Sequence, residues 1–342
     1  MNRAASIALL PLSALYGAAV QTRNALYRRG SFKSHDIGVP VISIGNITVG
    51  GTGKTPLVEW IAKQLAQRGL RVCVLTRGYG RQTTGRLIVS DAEAIRADVT
   101  QAGDEAFLLA EKLKGQAAII CDANRVGAAR WAIENLRSEV FLLDDGFQHQ
   151  RIARNLNIVT IDATNPWGNG ELLPSGILRE PRESLKRADC VVIARANQSQ
   201  LVADLDSQIT EICGDVPTFL SRINLADLHH LNSANQANPD SPVAAFCGIA
   251  NPESFFAMLR EAGYNLVHTQ ICRDHKRYTQ ADIERIIAHA KAHGAEALIT
   301  TAKDAVKVRS MSFALPCYVA ELSIEIDREE EFQRLILNAA QR

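Results

Sequence analysis

The sequence has almost no net charge. Thirty-eight Lys and Arg against 37 Asp and Glu leave +1 over 342 residues. A global basic field favouring nucleic acid is therefore missing, although local patches stay open. The seven cysteines, at 73, 121, 190, 213, 247, 272 and 317, contain no Cys-x-x-Cys pair. Such an odd, unpatterned set argues against a zinc site or a disulfide framework and fits a reducing compartment. There is no internal repeat and no low-complexity tract. What is present is a 46% hydrophobic composition, ample for a large core, in a length that suggests about two domains.

Charge is also missing from Ala4 to Thr22, between Arg3 and Arg23. Most of that run is apolar, and Arg23, Arg28, Arg29 and Lys33 follow it. A cleaved signal peptide needs a basic start and a small-residue cleavage site, and only Arg3 precedes the run. A spanning helix is just long enough, but Ser6, Pro11, Ser13 and Gly17 weaken it. A helix lying on a membrane surface, its basic flank toward anionic headgroups, fits better. A helix packed on the protein's own core is the plain alternative.

The densest signal is Ser43-Ile-Gly-Asn-Ile-Thr-Val-Gly-Gly-Thr-Gly-Lys-Thr-Pro56. An apolar strand at 41–44, a glycine-rich turn and a helix opening at Lys54 make the layout of a phosphate-binding P-loop. Gly50, Gly51 and Gly53 let successive N–H groups point at one anion. The helix N-terminus adds its positive dipole end. Lys54 would reach the β- and γ-phosphates, and the Thr55 hydroxyl would hold Mg²⁺. Thr48 stands where the general pattern has its first glycine.

Leu57, Ile61 and Leu65 continue as one helical face, and Arg71 to Thr76 reads as a second buried strand. Arg77-Gly-Tyr-Gly-Arg81 is a loop whose arginines suit either phosphate or solvent. Asp104 and Glu105 open another helix, where acids cap the dipole anyway. The functional alternative for such a carboxylate is a general base on an acceptor hydroxyl. Glu139 to Asp145 is an apolar strand ending in two acids. In P-loop proteins that position holds Mg²⁺, and Asp144 is the stronger candidate, with Asp145 and His149 close behind. A Gly/Pro-punctuated loop spans 168–181. Further on, residues 232–242 read as a surface loop, Asn251-Pro252 as a helix start, and Thr279 to Asp282 as a capping box. The whole pattern alternates α and β.

These residues together resemble one family, the tetraacyldisaccharide 4'-kinases, the lipid A 4'-kinases of Gram-negative bacteria. The stretches that carry the resemblance are Leu10-Pro-Leu12, Gly45 to Pro56, Arg77 to Gly80, Gly103 to Glu105, Asp144 to His149, Gly168 to Pro181, Phe246 to Pro252, Asp274-His275 and Thr300 to Asp304. The family shares Thr at position 48. The resemblance implies that Thr48, Val49, Gly50, Gly51, Thr52, Gly53, Lys54 and Thr55 bind ATP phosphates. It implies that Thr55, Asp144 and Glu180 handle Mg²⁺, that Asp104 is the base on the sugar 4'-hydroxyl, and that His275 tunes it. Glu105, Arg125, Asp145, His149 and Arg179 would line the site. Ala106, Asn155 and Ala302 depart from the family pattern. Ala302 removes a carboxylate, so the 300–304 motif receives no role.

The implied fold class is α/β: two α/β/α domains, the first P-loop NTPase-like with a mostly parallel sheet, after an N-terminal membrane-associated helix. The expected divisions are 1–30 for that helix, 31–187 for the nucleotide domain with 323–342 returning to it, linker strands at 188–197 and 304–322, and 198–303 for the second domain. The implied activity moves the ATP γ-phosphate to a tetraacyl glucosamine disaccharide 1-phosphate, giving lipid IVA at the cytoplasmic face of the inner membrane. Neither nucleic acid nor an obligate protein partner is expected. The alternative is a membrane-associated P-loop NTPase switch acting through protein partners. Against it, Val49 stands where such switches carry a lysine before the double glycine.

Overall fold

The computed structural model describes residues 8–232 and 241–341. Residues 1–7, and most of the surface loop expected at 232–242, lie outside them. After helix α1 (Leu10–Arg28), the first half runs β1 (Val41–Gly45), α2 (Lys54–Gln67), β2 (Val72–Thr76), β3 (Leu87–Asp91), α3 (Val99–Ala102), α4 (Asp104–Lys112), β4 (Ala117–Cys121), α5 (Arg125–Leu136), β5 (Val140–Asp144), β6 (Leu156–Asp162), β7 (Cys190–Ala194) and α6 (Val202–Cys213). Strand β8 (Thr218–His230) crosses into the second half. There follow β9 (Val243–Cys247), α7 (Pro252–Glu261), β10 (Leu266–Ile271), α8 (Gln280–Ala292), β11 (Ala297–Thr301) and α9 (Ala302–Val308). Strand β12 (Cys317–Ile326) runs back, and α10 (Glu329–Ala340) ends the described chain.

Among the described residues, twelve strands form one sheet in the order β10-β9-β11-β12-β8-β7-β6-β1-β5-β2-β4-β3. Neighbours are parallel except β8 with β12 and β3 with β4. The short interior strands β1, β2, β4, β5 and β7 are buried along their whole length. That is what continuous apolar runs do when helices cover both faces. Helix α2 lays Leu57, Ile61 and Leu65 into this core. The expected caps form: Asn251 accepts from Ser254 N–H, and Thr279 with Asp282 makes a reciprocal capping box.

The two halves join differently from the expected linkers. Residues 188–197 hold β7, an interior strand between β6 and β8. Helix α6 packs Leu205 and Ile209 against Val191 and Ile193 of the first half. The crossing is made by the antiparallel pair β8 and β12, registered from Tyr318 opposite His230 to Ile326 opposite Ser221. These are long strands with polar residues among the apolar ones, so their burial is mixed along most of their length.

Helix α10 returns to the first half. Phe332 is fully buried and packs on Phe219 and Trp60. Truncation there leaves a cavity under the P-loop domain. Phe332→Ala is expected to cost about 3–5 kcal/mol, read by urea unfolding. A loss below about 1 kcal/mol would show that α10 is not part of that core.

Helix α1 is docked along one side. The Ser13 hydroxyl donates to the Leu172 carbonyl at 3.0 Å and accepts from Ser175 N–H at 2.9 Å. Tyr16 donates to the Arg179 carbonyl at 2.9 Å, and the Asn24 amide to Glu180 at 2.7 Å. A Cβ on Gly17 would stand 2.7 Å from Leu172, so helix and loop touch closely there. The opposite side leaves Leu12 and Leu15 53% and 69% exposed. No helix among the described residues is long and apolar enough to cross a membrane.

Candidate active site

Strand β1 lies between β5 and β6, where parallel strand order reverses and a crevice opens at the carboxyl ends. The glycine-rich turn leaves β1 into this crevice. Gly53 takes a left-handed φ of 76° and starts α2 with no side-chain cap and no acid in the first turn. The first N–H groups of α2 therefore lack the partner a capping residue would supply, which fits a polyphosphate. The 168–181 loop holds the turn from outside. Val49 N–H donates to Ile177 and Arg179 N–H to Ile47, both at 2.7 Å. Inside, the Thr52 and Thr160 hydroxyls meet at 2.8 Å.

A cavity of about 480 Å³ opens beside the turn. Thr48 and Gly51 line one wall, Asp162 and Gln198 the floor, and Asn251 and Ser254 of the second half face them. The size is that of a small-ligand pocket, and both halves build it.

Asp144 ends β5 and Asp145 follows with a φ of 50°. That turn points the two carboxylates into different surroundings. Burial, then Glu105 and Asp145, push the Asp144 carboxyl up to about 6. Burial also works against the Asp145 anion, but Lys54 at 3.5 Å and Arg179 at 2.7 Å hold it down at about 2. A buried carboxylate crowded by two others is poised for a cation. Among the described residues no three His, Cys, Asp or Glu side chains gather as a metal site. The donors present, the Thr55 hydroxyl and one or two carboxylates, still fit Mg²⁺, which takes few protein ligands and keeps phosphate and water oxygens.

The second cluster sits at the same sheet edge. Gly103 has a φ of 84°, and a Cβ there would stand 2.4 Å from the Tyr79 carbonyl in the loop after β2. This contact fixes the start of α4. Asp104, 6% exposed, receives His275 Nδ1 at 2.9 and 3.0 Å from its two oxygens. Tyr79 packs its ring on His275 with centroids 4.7 Å apart. Burial alone would raise Asp104, but the His275 hydrogen bond and the Lys303 and Lys307 ammoniums hold it below the usual carboxylate range. Burial opposes the His275 imidazolium, yet the bond to Asp104 outweighs it and raises the imidazole. Glu105 belongs to both clusters: it pairs with Lys303 at 3.1 Å and its charge is felt at Asp144.

The sequence profile of the family described as tetraacyldisaccharide-1-P 4'-kinase matches residues 5–341. The chain belongs to that family. It is 40% identical to the tetraacyldisaccharide 4'-kinase of Desulfotalea psychrophila over 96% of this chain and 94% of that one. It is 41% identical to that of Geobacter metallireducens over 90% of each. The crystal structure of LpxK from Aquifex aeolicus, solved in complex with ATP, superposes with a TM-score of 0.78 at 30% identity, covering 98% of this chain and 99% of that one.

In this 4'-kinase-family chain most of the expected residues gather, and two of them, Glu180 and Arg125, are buried beneath the cleft surface. Glu180, expected at the metal, is fully buried. Its carboxylate accepts from Asn24 and from Arg187 at 2.9 Å and pairs with Arg23 at 3.6 Å. Both hydrogen bonds fall on Oε2 and tie α1 to the loop, while Oε1 has no hydrogen-bond partner among the described residues. Arg125, expected to line the site, is 1% exposed and donates to the Asp144 backbone carbonyl at 2.6 Å. It supports the end of β5 from beneath. His149 is pushed down to about 3 by burial and by Arg125, Arg154, Arg77 and Arg151, so its imidazole is neutral. Sequence reading missed Lys303, Lys307 and Tyr79. The signal for Lys303 was the 300–304 motif, to which Ala302 left no role; Lys307 lies three residues beyond it and had no signal of its own. Ala302 is merely the first residue of α9, behind the Thr301 cap.

The raised Asp144 pKa has a stability sign. Unfolded, the carboxyl titrates near 3.8; folded, near 6. Below the unfolded value both states are protonated and the site costs nothing. As pH rises from about 4 through about 6 the native state is penalised, by about 3 kcal/mol when complete. Asp144→Asn is thus expected to raise the Tm of the ligand-free protein at pH 8, with the gain vanishing toward pH 4. The same variant should lose the Mg²⁺ dependence of ATP binding. A lower Tm at pH 8 would show that Asp144 is stabilised in the native state.

Proposed function

We propose that this chain transfers the γ-phosphate of ATP to the 4'-hydroxyl of a tetraacyl glucosamine disaccharide 1-phosphate, giving lipid IVA, at the cytoplasmic face of the inner membrane. The observation that carries the reading is the Asp104–His275 pair at the sheet edge that also presents the P-loop. A switch needs only the P-loop; an acceptor hydroxyl also needs a carboxylate.

The uncapped start of α2 and Lys54 orient the phosphates of ATP, and the cavity shared by both halves encloses the rest of the nucleotide. Thr55 and Asp144 are the residues that would hold Mg²⁺, which supplies charge neutralisation on the phosphate oxygens when bound. Asp104 accepts the proton of the 4'-hydroxyl as that oxygen bonds to phosphorus and the bond to ADP breaks. His275, by donating Nδ1–H, keeps the Asp104 oxygens oriented. Transfer of this kind relies on positioning and charge, not on a covalent enzyme intermediate.

The lipid is met at a membrane surface. Exposed Leu10, Leu12 and Leu15 on α1, with the exposed Arg28 and Arg29 beyond them, suit an interfacial helix on anionic lipid. The opposite side of α1 stays on the protein, as the core-helix reading expects; the surface-helix reading rests on the exposed side alone. Replacing Leu12 and Leu15 by Asp should reduce co-sedimentation with phosphatidylglycerol vesicles at least several-fold, and unchanged binding would remove α1 from the membrane contact.

The test of the reaction class is ADP formation with and without the acceptor. ADP formed only when the disaccharide lipid and Mg²⁺ are both present is the expected result. Slow ATP turnover indifferent to lipid would favour the switch.

A further inference from the structure

The 300–304 motif lies in the second half, yet its side chains reach the start of α4. The Lys303 ammonium stands 3.1 Å from Glu105, 3.3 Å from Asp274 and 3.3 Å from His275 Nε2. Four residues on, one helical turn further and on the same side of α9, Lys307 stands 3.4 Å from Asp104 and 2.9 Å from Asp304. Asp304 is fully buried and fixed by Gly248 N–H at 2.8 Å, the Thr301 hydroxyl at 2.8 Å and the Tyr278 hydroxyl at 3.0 Å. Two cations on one rigid turn therefore bracket the Asp104–His275 pair.

The hydrogen-bond chemistry is restrictive. An ammonium has three donors and no acceptor. A hydrogen bond from Lys303 to Nε2 needs the imidazole lone pair on that nitrogen. The ring proton must then sit on Nδ1, where the Asp104 carboxylate accepts it. We propose that Lys303 and Lys307 are the positioning residues of the phosphoryl acceptor site. Lys303 fixes His275 as the neutral Nδ1–H tautomer, and Lys307 keeps Asp104 ionised. This rests on Asp104 being the base. The groups facing the pair are Lys303, Lys307, Glu105, Asp274 and the Tyr79 ring, and carboxylates outweigh burial to keep Lys303 protonated. Removing either lysine makes Asp104 easier to protonate, and removing Lys303 does the same for His275.

The experiment has two readouts. First, kcat is followed against pH for the wild type, Lys303→Met, Lys303→Arg and Lys307→Met at saturating Mg-ATP. The methionine variants should lose about tenfold or more in kcat near neutral pH, and their acidic limb should move up by about one unit. Lys303→Arg should restore the limb, and the ATP KM should stay within about twofold throughout. Equal loss at every pH with an unmoved limb would make the lysines structural and overturn the proposal. Second, ¹⁵N-histidine NMR of the wild type, with His275 assigned by His275→Gln, reads the tautomer without requiring a lysine variant to fold. Nε2 without a proton is expected; a protonated Nε2 overturns the assignment. Asp104→Asn with near-normal turnover would instead remove the base itself, a different failure.

Discussion

Lys54→Ala lowers kcat by about 10²- to 10³-fold, the scale for removing one preorganised charge that faces a transition state. The side chain is 13% exposed and its ammonium stands 3.5 Å from Asp145, at the mouth of a turn whose N–H groups face the cleft. Its charge matters most when charge spreads over the transferred phosphoryl oxygens, so kcat should fall further than ATP affinity. Asp145 keeps Arg179 as a partner at 2.7 Å, which limits the folding cost. Lys54→Met should behave as the alanine variant does, since the missing element is charge and not length. Steady-state kinetics beside a thermal melt separate the two effects. A well-folded Lys54→Ala with kcat within fivefold of wild type would sink the P-loop assignment.

The second large effect is expected at Asp104. Asp104→Asn keeps shape and burial and removes the proton acceptor, so kcat should fall by about 10²- to 10⁴-fold. ATP affinity should change little, because Asp104 bonds His275 across the cleft and does not belong to the phosphate turn. Isothermal titration with a non-hydrolysable ATP analogue checks this. If binding and turnover fall together, Asp104 acts by holding the two halves in register. His275→Gln should cost less than Asp104→Asn, since it removes an orienting donor and leaves the carboxylate, and it should shift the acidic limb of the profile.

The phosphate turn was legible because its chemistry is local. Glycines 50, 51 and 53, Lys54 and Thr55 are contiguous, and the strand and helix around them have clear periods. Asp144 and Asp145 were legible because an unbroken apolar run ends on them. The Asp104–His275 contact was not legible from spacing, since 171 positions separate the two residues. Asp104 alone reads as an acid in the first turn of a helix, and His275 alone as a solvated histidine. Only the resemblance to a family joined them. Lys303 and Lys307 stayed hidden for a related reason: α9 meets α4 only after β8 and β12 have folded the second half over the first. Those two strands were themselves poorly legible. Ser221, Arg222 and Asn224 in β8 break an apolar period that half-exposed linker strands do not need. The ties of Glu180 to Arg23, Arg187 and Asn24 were not legible either, because α1 and the 168–181 loop are far apart in the chain.

The measurement that bears most directly on the central claim is where the γ-phosphate ends up. γ-Labelled ATP, Mg²⁺ and a tetraacyl disaccharide 1-phosphate are incubated with the enzyme in mixed micelles, and the lipid is then treated with mild acid. Acid removes the anomeric phosphate and spares a phosphate ester on the 4'-hydroxyl. Label that enters the lipid and survives the treatment, and that is lost in Lys54→Ala and Asp104→Asn, is the expected result. Label found only as free phosphate, or released from the lipid by mild acid, would contradict transfer to the 4'-hydroxyl.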